Sequence, residues 1–326
     1  MGASLAVVGS FVQDLAFQVA DFPTSGQTII GSFFTGPGGK GSNQAVAAHR
    51  QEVATLFIGA VGDDIFADGY RAWCEGEGLR TNLLSIPGVP TGAASIVINN
   101  QAQNAIVVAL GANEHLTHDH VLKALSAESD LKVLLLQAES NLTAAEGALR
   151  YARARGIYAL FNPAPINPSI SVELLALADC ITPNETELAF LVERATGEPF
   201  KEDISQLSDS SLREICDHLS APSILMTLGE KGSIFYQREA PHEHLSGITK
   251  GLIIRTPAIR VSPIDTTGAG DAFNGGIAAG LVRFNGDLTR AIKFATVVAG
   301  LSTEKLGTAP AMPRLPDVQA HSSFYK

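Results

Sequence analysis

Asp265-Thr266-Thr267-Gly268-Ala269-Gly270-Asp271-Ala272-Phe273-Asn274-Gly275-Gly276 is the stretch on which the reading of this chain turns. It follows an apolar run, Ile259–Ile264, and opens a helix of small residues expected to reach about Val282. Two glycines at a loop-to-helix junction let backbone N–H groups converge on an anion at the positive helix end, with no Cβ in the way. An acid at the same mouth can accept a proton from an attacking hydroxyl. Anion hole and base within reach of one phosphorus are what phosphoryl transfer needs. Taken alone, the motif also admits a plainer reading, with Gly268 and Gly270 as turn residues and Asp271 as an acid of the first helical turn. It is not a dinucleotide fingerprint, because Phe273 stands where the third glycine belongs. Nor is Gly36-Pro37-Gly38-Gly39-Lys40-Gly41-Ser42 a Walker A loop, lacking both the spacing and the Lys-Ser/Thr pair.

Outward from the motif, short apolar runs read as buried parallel strands: Leu5–Gly9, Ala54–Val61, Val133–Gln137, Tyr158–Asn162, Cys180–Thr182 and Ile224–Leu228. Helical patterns separate many of them, over Asn43–Arg50, Asp64–Glu77, Thr143–Arg155 and Leu212–Leu219. This alternation predicts an α/β fold, a mostly parallel central sheet flanked by helices on both faces. Ligands of such sheets sit outside the carboxyl ends of the strands. Two stretches break the pattern. Residues 11–36 carry Phe17-Gln18-Val19 and Thr28-Ile29-Ile30 around a Pro-Gly turn region. Residues 92–110 carry Ala94–Ile98 and Ala105–Leu110, joined by the polar turn Asn99–Asn104. These segments are expected to form a small β-sheet lid on a single domain spanning 1–326. The tail from His321 is expected to be a poorly ordered end.

In 326 residues, 45% are apolar and 17% charged, the balance of a globular chain with a substantial core. The net charge of −10 and the lack of basic runs argue against a nucleic-acid or anionic-membrane partner. Phosphate binding remains open to such a chain, since backbone N–H groups and Mg²⁺ neutralise phosphate locally. Cys74, Cys180 and Cys216 are odd in number and far apart, which suits a reducing compartment and suggests neither a disulfide framework nor a zinc site. The start MGASLAVVGS reads as a first strand and not as a signal, and no apolar run nears the roughly 20 residues of a membrane helix. A cytoplasmic protein is the expectation.

Taken with the rest of the chain, residues 265–276 resemble the second signature of the ribokinase (PfkB-type) carbohydrate kinase family. Gly38-Gly39-Lys40-Gly41-Ser42-Asn43-Gln44-Ala45 resembles the first. Between them, Gly111-Ala112-Asn113, Leu135-Leu136-Gln137-Ala138-Glu139-Ser140, Asn162-Pro163-Ala164-Pro165, Thr182-Pro183-Asn184-Glu185-Thr186-Glu187 and Thr227-Leu228-Gly229-Glu230-Lys231-Gly232 also match, so the resemblance covers nearly the whole chain. It implies a ribokinase-like fold and an ATP-dependent sugar kinase acting on the primary hydroxyl of a pentose, first of all D-ribose to ribose 5-phosphate. A kinase for 2-deoxyribose, another related sugar or a nucleoside is the alternative, and a sugar-sensing regulator without turnover is the non-enzymatic one.

Position by position, the resemblance implies Asp271 as general base and the N–H groups of Gly268, Ala269 and Gly270 as the anion hole. It places Asp14, Gly38, Gly39, Lys40, Asn43 and Glu139 against the sugar; carboxylates, amides and close backbone approach suit a polyhydroxylated ligand. Without it, Gly38–Gly41 would be a flexible loop and Asn43 a helix cap. Asn184, Thr227, Gly229, Gly232, Gly270 and Thr296 fall to the nucleotide, and Glu187 to Mg²⁺ through water. The plainer reading makes Asn184 and Glu187 a capping box. Asp265, Thr267, Ser302, Lys305 and Gly307 fall to a monovalent cation, K⁺, mostly through backbone carbonyls. A homodimer joined through the lid strands is a further expectation.

Two departures qualify what the resemblance implies. Ala311 stands where ribokinases often have Ser, which weakens the case for potassium activation. Gly9-Ser10-Phe11-Val12-Gln13-Asp14 replaces the family's sugar-contacting Asn with Val12, which can neither donate nor accept a hydrogen bond. A site missing a polar partner rejects analogues lacking the matching hydroxyl less strongly, which brings deoxy or modified pentoses into range. Other features read as structural. His115, His118 and His120 are expected at a solvated helix start, His242-Glu243-His244 on a surface loop, and Tyr70 and Trp73 in packing.

Overall fold

The computed structural model describes residues 2–101 and 103–321. In chain order its strands are β1 (Leu5–Val8), β2 (Val12–Gln18), β3 (Ser32–Gly38), β4 (Thr55–Val61), β5 (Arg80–Ser85), β6 (Ala93–Ile98) and β7 (Asn104–Ala109). They continue as β8 (Val133–Gln137), β9 (Tyr158–Asn162), β10 (Cys180–Ile181), β11 (Ser223–Thr227), β12 (Ser233–Gln237) and β13 (Ile253–Thr256). The helices are α1 (Lys40–His49), α2 (Ile65–Glu77), α3 (His118–Ser126), α4 (Leu142–Arg155) and α5 (Val172–Leu175). After them come α6 (Glu185–Thr196), α7 (Asp209–Asp217), α8 (Ala269–Arg283), α9 (Leu288–Ser302) and α10 (Leu315–His321). Residues 322–326, the rest of the expected tail, and Ala102 of the expected turn lie outside the described residues.

A nine-stranded sheet runs β13-β12-β11-β10-β9-β8-β1-β4-β5, parallel throughout except where β12 and β13 join antiparallel. All four residues of β1 are buried, with Leu5 and Val7 packed among α1, α2, α8, α9 and α10 and Ala6 and Val8 among α3 to α7. Strands covered on both faces need no polar alternation, which is why the six predicted runs were legible. β5, β12 and β13 were not read from sequence; polar residues interrupt β5 and β13, and β12 ends on Gln237. From β1 the chain goes first to β4 on one side and later to β8 on the other. The crevice outside the carboxyl ends of β1 and β8 is therefore the switch point where ligands of open α/β sheets bind.

The second sheet has the order β3-β2-β6-β7, with β2 and β6 parallel and both outer pairs antiparallel. Its first half corrects the sequence reading. β2 starts at Val12, not Phe17, and its partner is β3, while Thr28-Ile29-Ile30 lies outside any strand with Ile30 97% exposed. Gly36 and Pro37 look like turn residues, yet an edge strand tolerates a proline that a central strand would reject. Buried Asn113 fixes where this sheet leaves the core: its Oδ1 accepts from Phe11 N (2.9 Å), and its Nδ2 donates to the carbonyls of Phe11 and Leu110 (2.7 Å each).

Helix α1 begins at Lys40, after Gly39 at φ 84°, so Asn43 lies inside the first turns and its side chain caps nothing. Tyr70 and Trp73 pack as expected, Tyr70 stacking on Phe11 with ring centres 3.6 Å apart. α1 and α8 cross backbone to backbone at Gly275, where a Cβ would stand 2.4 Å from the Gln44 carbonyl and 2.5 Å from Ala47 Cβ. That crossing sets the spacing between Gln44 and Asp271, one turn along α8. Gly275→Ala should therefore destabilise the fold by about 1–3 kcal/mol through overpacking. Urea unfolding measures it, and an unchanged midpoint would mean that α1 and α8 separate freely.

Candidate active site

Asp271 is buried at the first turn of α8, with both carboxylate oxygens engaged. Asn43 Nδ2 donates to Oδ2 at 2.9 Å and Gln44 Nε2 to Oδ1 at 3.0 Å. Gln44 is itself held, its Oε1 accepting from Gln137 Nε2 at 2.6 Å and its Nε2 also reaching Asn162 Oδ1 at 3.2 Å. The chain of bonds continues from Asn162 Nδ2 to the Thr182 carbonyl, from Thr182 Oγ1 to Asn274 Oδ1, and from Asn274 Nδ2 to the Gly270 carbonyl. Gln137, Asn162 and Thr182 end or follow β8, β9 and β10, so the carboxyl edge of the sheet grips the start of α8. This network fixes the carboxylate from two sides, although Gln137 Oε1 is buried without a partner among the described residues.

On the lid side, Gly38 gives Asp14 its place: a Cβ there would stand 2.3 Å from Asp14 Oδ2. The Thr308 hydroxyl donates to that oxygen at 3.1 Å. Glu139 Oε2 accepts from Ser10 Oγ at 2.6 Å and from Lys40 N at 2.8 Å. Burial pushes the Asp14 carboxyl up to about 6, with the Thr308 hydroxyl opposing and Glu139 and Asp271 adding. Burial likewise raises Glu139 and Glu187. For Lys40 burial works against the charge, but the carboxylates of Asp271, Glu139 and Glu187 outweigh it and hold the ammonium above its ordinary range. Three acids around one lysine suit a ligand rich in hydroxyl donors. Asn43 Oδ1, buried and without a partner among the described residues, is a further acceptor.

At the mouth of α8, Gly268 sits at φ 78° and a Cβ on Gly270 would meet no protein atom. The N–H groups of Gly268 and Gly270 have no partner among the described residues, but that of Ala269 turns back to the Thr266 carbonyl at 3.2 Å. The open anion hole is thus narrower than expected. Asp265 ties the neighbouring loops, Oδ1 accepting from Thr267 N at 2.9 Å and Oδ2 from Gly307 N at 3.0 Å. Of the other cation candidates, Ser302 Oγ is bonded to the Ala299 carbonyl and Lys305 is exposed. Ala311 is buried, its N–H on the Thr308 carbonyl.

The nucleotide candidates are only partly gathered. Asn184 and Thr227 form a parallel bridge, and Gly229 and Gly232 shape the turn after β11, Leu228 N bonding to the Gly232 carbonyl. The capping box is present: Glu187 N donates to Asn184 Oδ1 and Asn184 N to Glu187 Oε2. Only one oxygen of Glu187 is used in it, which leaves the other for a cation. Thr296 is buried in α9 with its hydroxyl on the Ile292 carbonyl, and no hydrogen bond joins it to the other nucleotide candidates. Among the described residues no cluster of three or more His, Cys, Asp or Glu could hold a metal ion. His118 starts α3 behind its Thr117 cap, as expected. His242 departs from the surface-loop reading: half-buried, it lines with Arg153, Tyr158 and Asp179 a polar cavity of about 160 Å³ at the amino ends of β9 and β11.

Sequence reasoning passed over Gln44, Gln137, Asn162, Asn274 and Thr308. All but Thr308 lie inside stretches already singled out, and for Gln137 and Asn162 the available signal was an amide at the end of an apolar strand, where no aliphatic neighbour needs one. Gln44→Leu keeps the volume but takes a donor from Asp271 and strands the amides of Gln137 and Asn162. It should cost about 1–3 kcal/mol of stability by chemical denaturation; a wild-type curve would show that the network contributes nothing.

A model of the "pfkB family carbohydrate kinase" matches residues 3–315. The chain is 33% identical over 315 residues to the ribokinase of Haemophilus influenzae, with 96% of each chain covered. It is 32% identical over 322 residues to the deoxyribokinase of Salmonella typhi, covering 98% of this chain and 99% of that one. Among solved structures, the ribokinase of Arabidopsis thaliana complexed with ribose and ATP superposes with a TM-score of 0.82 at 28% identity, over 98% of both chains. Full-length matches of sequence and fold leave one conclusion: the chain belongs to the pfkB family of carbohydrate kinases.

Proposed function

We propose that this carbohydrate kinase transfers the γ-phosphate of ATP to the primary hydroxyl of a pentose, with D-ribose as first substrate. The observation that carries it is the Asp271 carboxylate, clamped by Asn43 and Gln44 beside the free N–H groups of Gly268 and Gly270. Asp271 accepts the proton of the sugar hydroxyl as that oxygen attacks the γ-phosphorus in line, and the two N–H groups hold the charge gathering on the transferring group. Asp14, Glu139, Asn43, Lys40 and the backbone of Gly38 and Gly39 hold the sugar. Asn184, Thr227, Gly229, Gly232, Gly270 and Thr296 hold the nucleotide. The free oxygen of Glu187 suits a water-bridged Mg²⁺, which when bound neutralises phosphate charge. The Asp265–Gly307 loops suit K⁺ through their carbonyls, with Ala311 supplying no hydroxyl.

Val12 favours a second reading, 2-deoxyribose. It is buried at the start of β2, opposite Gly38, and offers no hydrogen bond to a sugar. The resemblance to a deoxyribokinase points the same way. The lid exposes Phe33, Phe34, Val107 and Val108, which supports pairing of two copies through this sheet. Among the described residues no helix is long and apolar enough to cross a membrane, and we place the enzyme in the cytoplasm.

Asp271→Asn should lower kcat by about three orders of magnitude or more while ATP binding by calorimetry persists; near-normal turnover would remove Asp271 as the base. A panel of ribose, 2-deoxyribose, fructose and adenosine, with ATP, Mg²⁺ and with or without K⁺, decides the acceptor. The pH dependence has a fixed sign. Above pH about 6 the Asp14 carboxyl is ionised and accepts sugar hydroxyls. As pH falls through that value it takes a proton, so kcat/KM for the sugar should fall on the acid side. Protonation of Asp14 itself does not unfold the chain, because a group that binds its proton more tightly than the ordinary 3.8 favours the folded state on acidification. Asp14→Asn should lack this limb; if the variant keeps it, the limb belongs to another group.

A further inference from the structure

We propose that Thr308 is a positioning residue for the sugar, its hydroxyl fixing the Asp14 carboxylate and joining the lid to the loop after α9, which packs beside the anion hole. The proposal rests on the reading of Asp14 as a sugar ligand. Thr308 Oγ1 faces Asp14 Oδ2 at 3.1 Å and the Pro37 carbonyl at 3.2 Å. Asp14 lies on β2 and Pro37 on β3, so one buried hydroxyl shares its single proton between acceptors on two adjacent lid strands. Among the described residues it is the one hydrogen-bond partner of the Asp14 side chain. Glu139, following β8, and Asp271, on α8, both face that carboxylate with like charge. Without a donor on the far side, repulsion would turn Asp14 toward solvent, the side left open by the lid.

The same residue reaches the reaction centre through its neighbours. Gly307 N donates to Asp265 Oδ2, and Asp265 Oδ1 holds Thr267 N, the residue before Gly268. The Cα and Cβ of Thr308 lie 3.6 Å from where a Cβ of Gly268 would stand. A sugar that draws on Asp14 therefore pulls on a short chain of bonds ending at the anion hole. Closure of the lid on sugar and setting of the N–H groups for the γ-phosphate become one event. That links acceptor binding to readiness for transfer and disfavours loss of the phosphate to water.

Thr308→Val keeps the shape and removes the hydroxyl, and Thr308→Ser restores it. Steady-state kinetics with ribose, or with 2-deoxyribose should the panel select it, tests the proposal alongside Asp14→Asn. Thr308→Val should raise the sugar KM about tenfold or more, with the ATP KM within about twofold and kcat reduced less than the sugar KM is raised. Thr308→Ser should lie within about threefold of wild type in all three. The double variant Asp14→Asn/Thr308→Val should be little worse than Asp14→Asn alone, because the two side chains act as one unit. A wild-type sugar KM in Thr308→Val, with a raised one in Asp14→Asn, overturns the proposal and leaves Asp14 in place. A wild-type sugar KM in Asp14→Asn removes Asp14 from the sugar site and this proposal with it. Equal impairment of the Val and Ser variants, with lowered thermal midpoints, reduces Thr308 to packing and also overturns it.

Discussion

Two amide groups from α1 hold both oxygens of Asp271 at the head of α8, and the rest of the site is arranged around that clamp. A carboxylate on a short side chain can turn about two bonds, and a base that turns wastes encounters. Here one of the donors, Gln44, is itself pinned by amides at the carboxyl ends of β8 and β9, so that part of the constraint comes from the sheet. Its reach is set by the crossing of α1 and α8, where the lack of a side chain at Gly275 lets two backbones touch. Packing thus decides the geometry, and hydrogen bonding reads it out at the site.

Charge is the second organising fact. Glu139, Glu187 and Asp271 converge on a single ammonium, Lys40, and Asp14 feels the charge of Glu139 and Asp271. Packing of like charges is costly unless donors offset it. Ser10, the backbone of Lys40 and Thr308 provide some of them within the protein. The remainder is a demand for donors that sugar hydroxyls can meet, which is how the acid cluster serves the proposed recognition of the acceptor. The mouth of α8 has the opposite character, with the N–H groups of Gly268 and Gly270 unpaired among the described residues. A neutral polyol and a polyphosphate are thereby sorted to neighbouring halves of one crevice.

The lid supplies what a crevice alone cannot. β2 and β3 bring Asp14, Gly38 and Val12 over the opening, and Asn113 fixes the point where they leave the core. Val12, one of two places where this chain departs from the pattern it otherwise follows, sits within the same pair of strands as Asp14. On the proposed function, selectivity among pentoses falls to the lid, while the chemistry of transfer falls to the sheet edge.

How much of this was legible in the sequence follows from how local each signal is. The six apolar runs, the glycine-rich start of α8 and the ordered matches along the chain were readable because a buried parallel strand and a loop-to-helix anion site are each written in a few consecutive residues. The capping box of Asn184 and Glu187 was readable for the same reason. The start of β2 and the whole of β3 were not, because an edge strand containing Gly36 and Pro37 owes its existence to its partner and not to its own propensity. Gln44 against Asp271 and Thr308 against Asp14 join residues 227 and 294 positions apart. No local pattern encodes such contacts, and only the closing of the chain on itself decides them. The sequence by itself determined the class of chemistry and the residues able to perform it. The tertiary structure decided which of them hold one another in place, because orientation is set by partners far away along the chain.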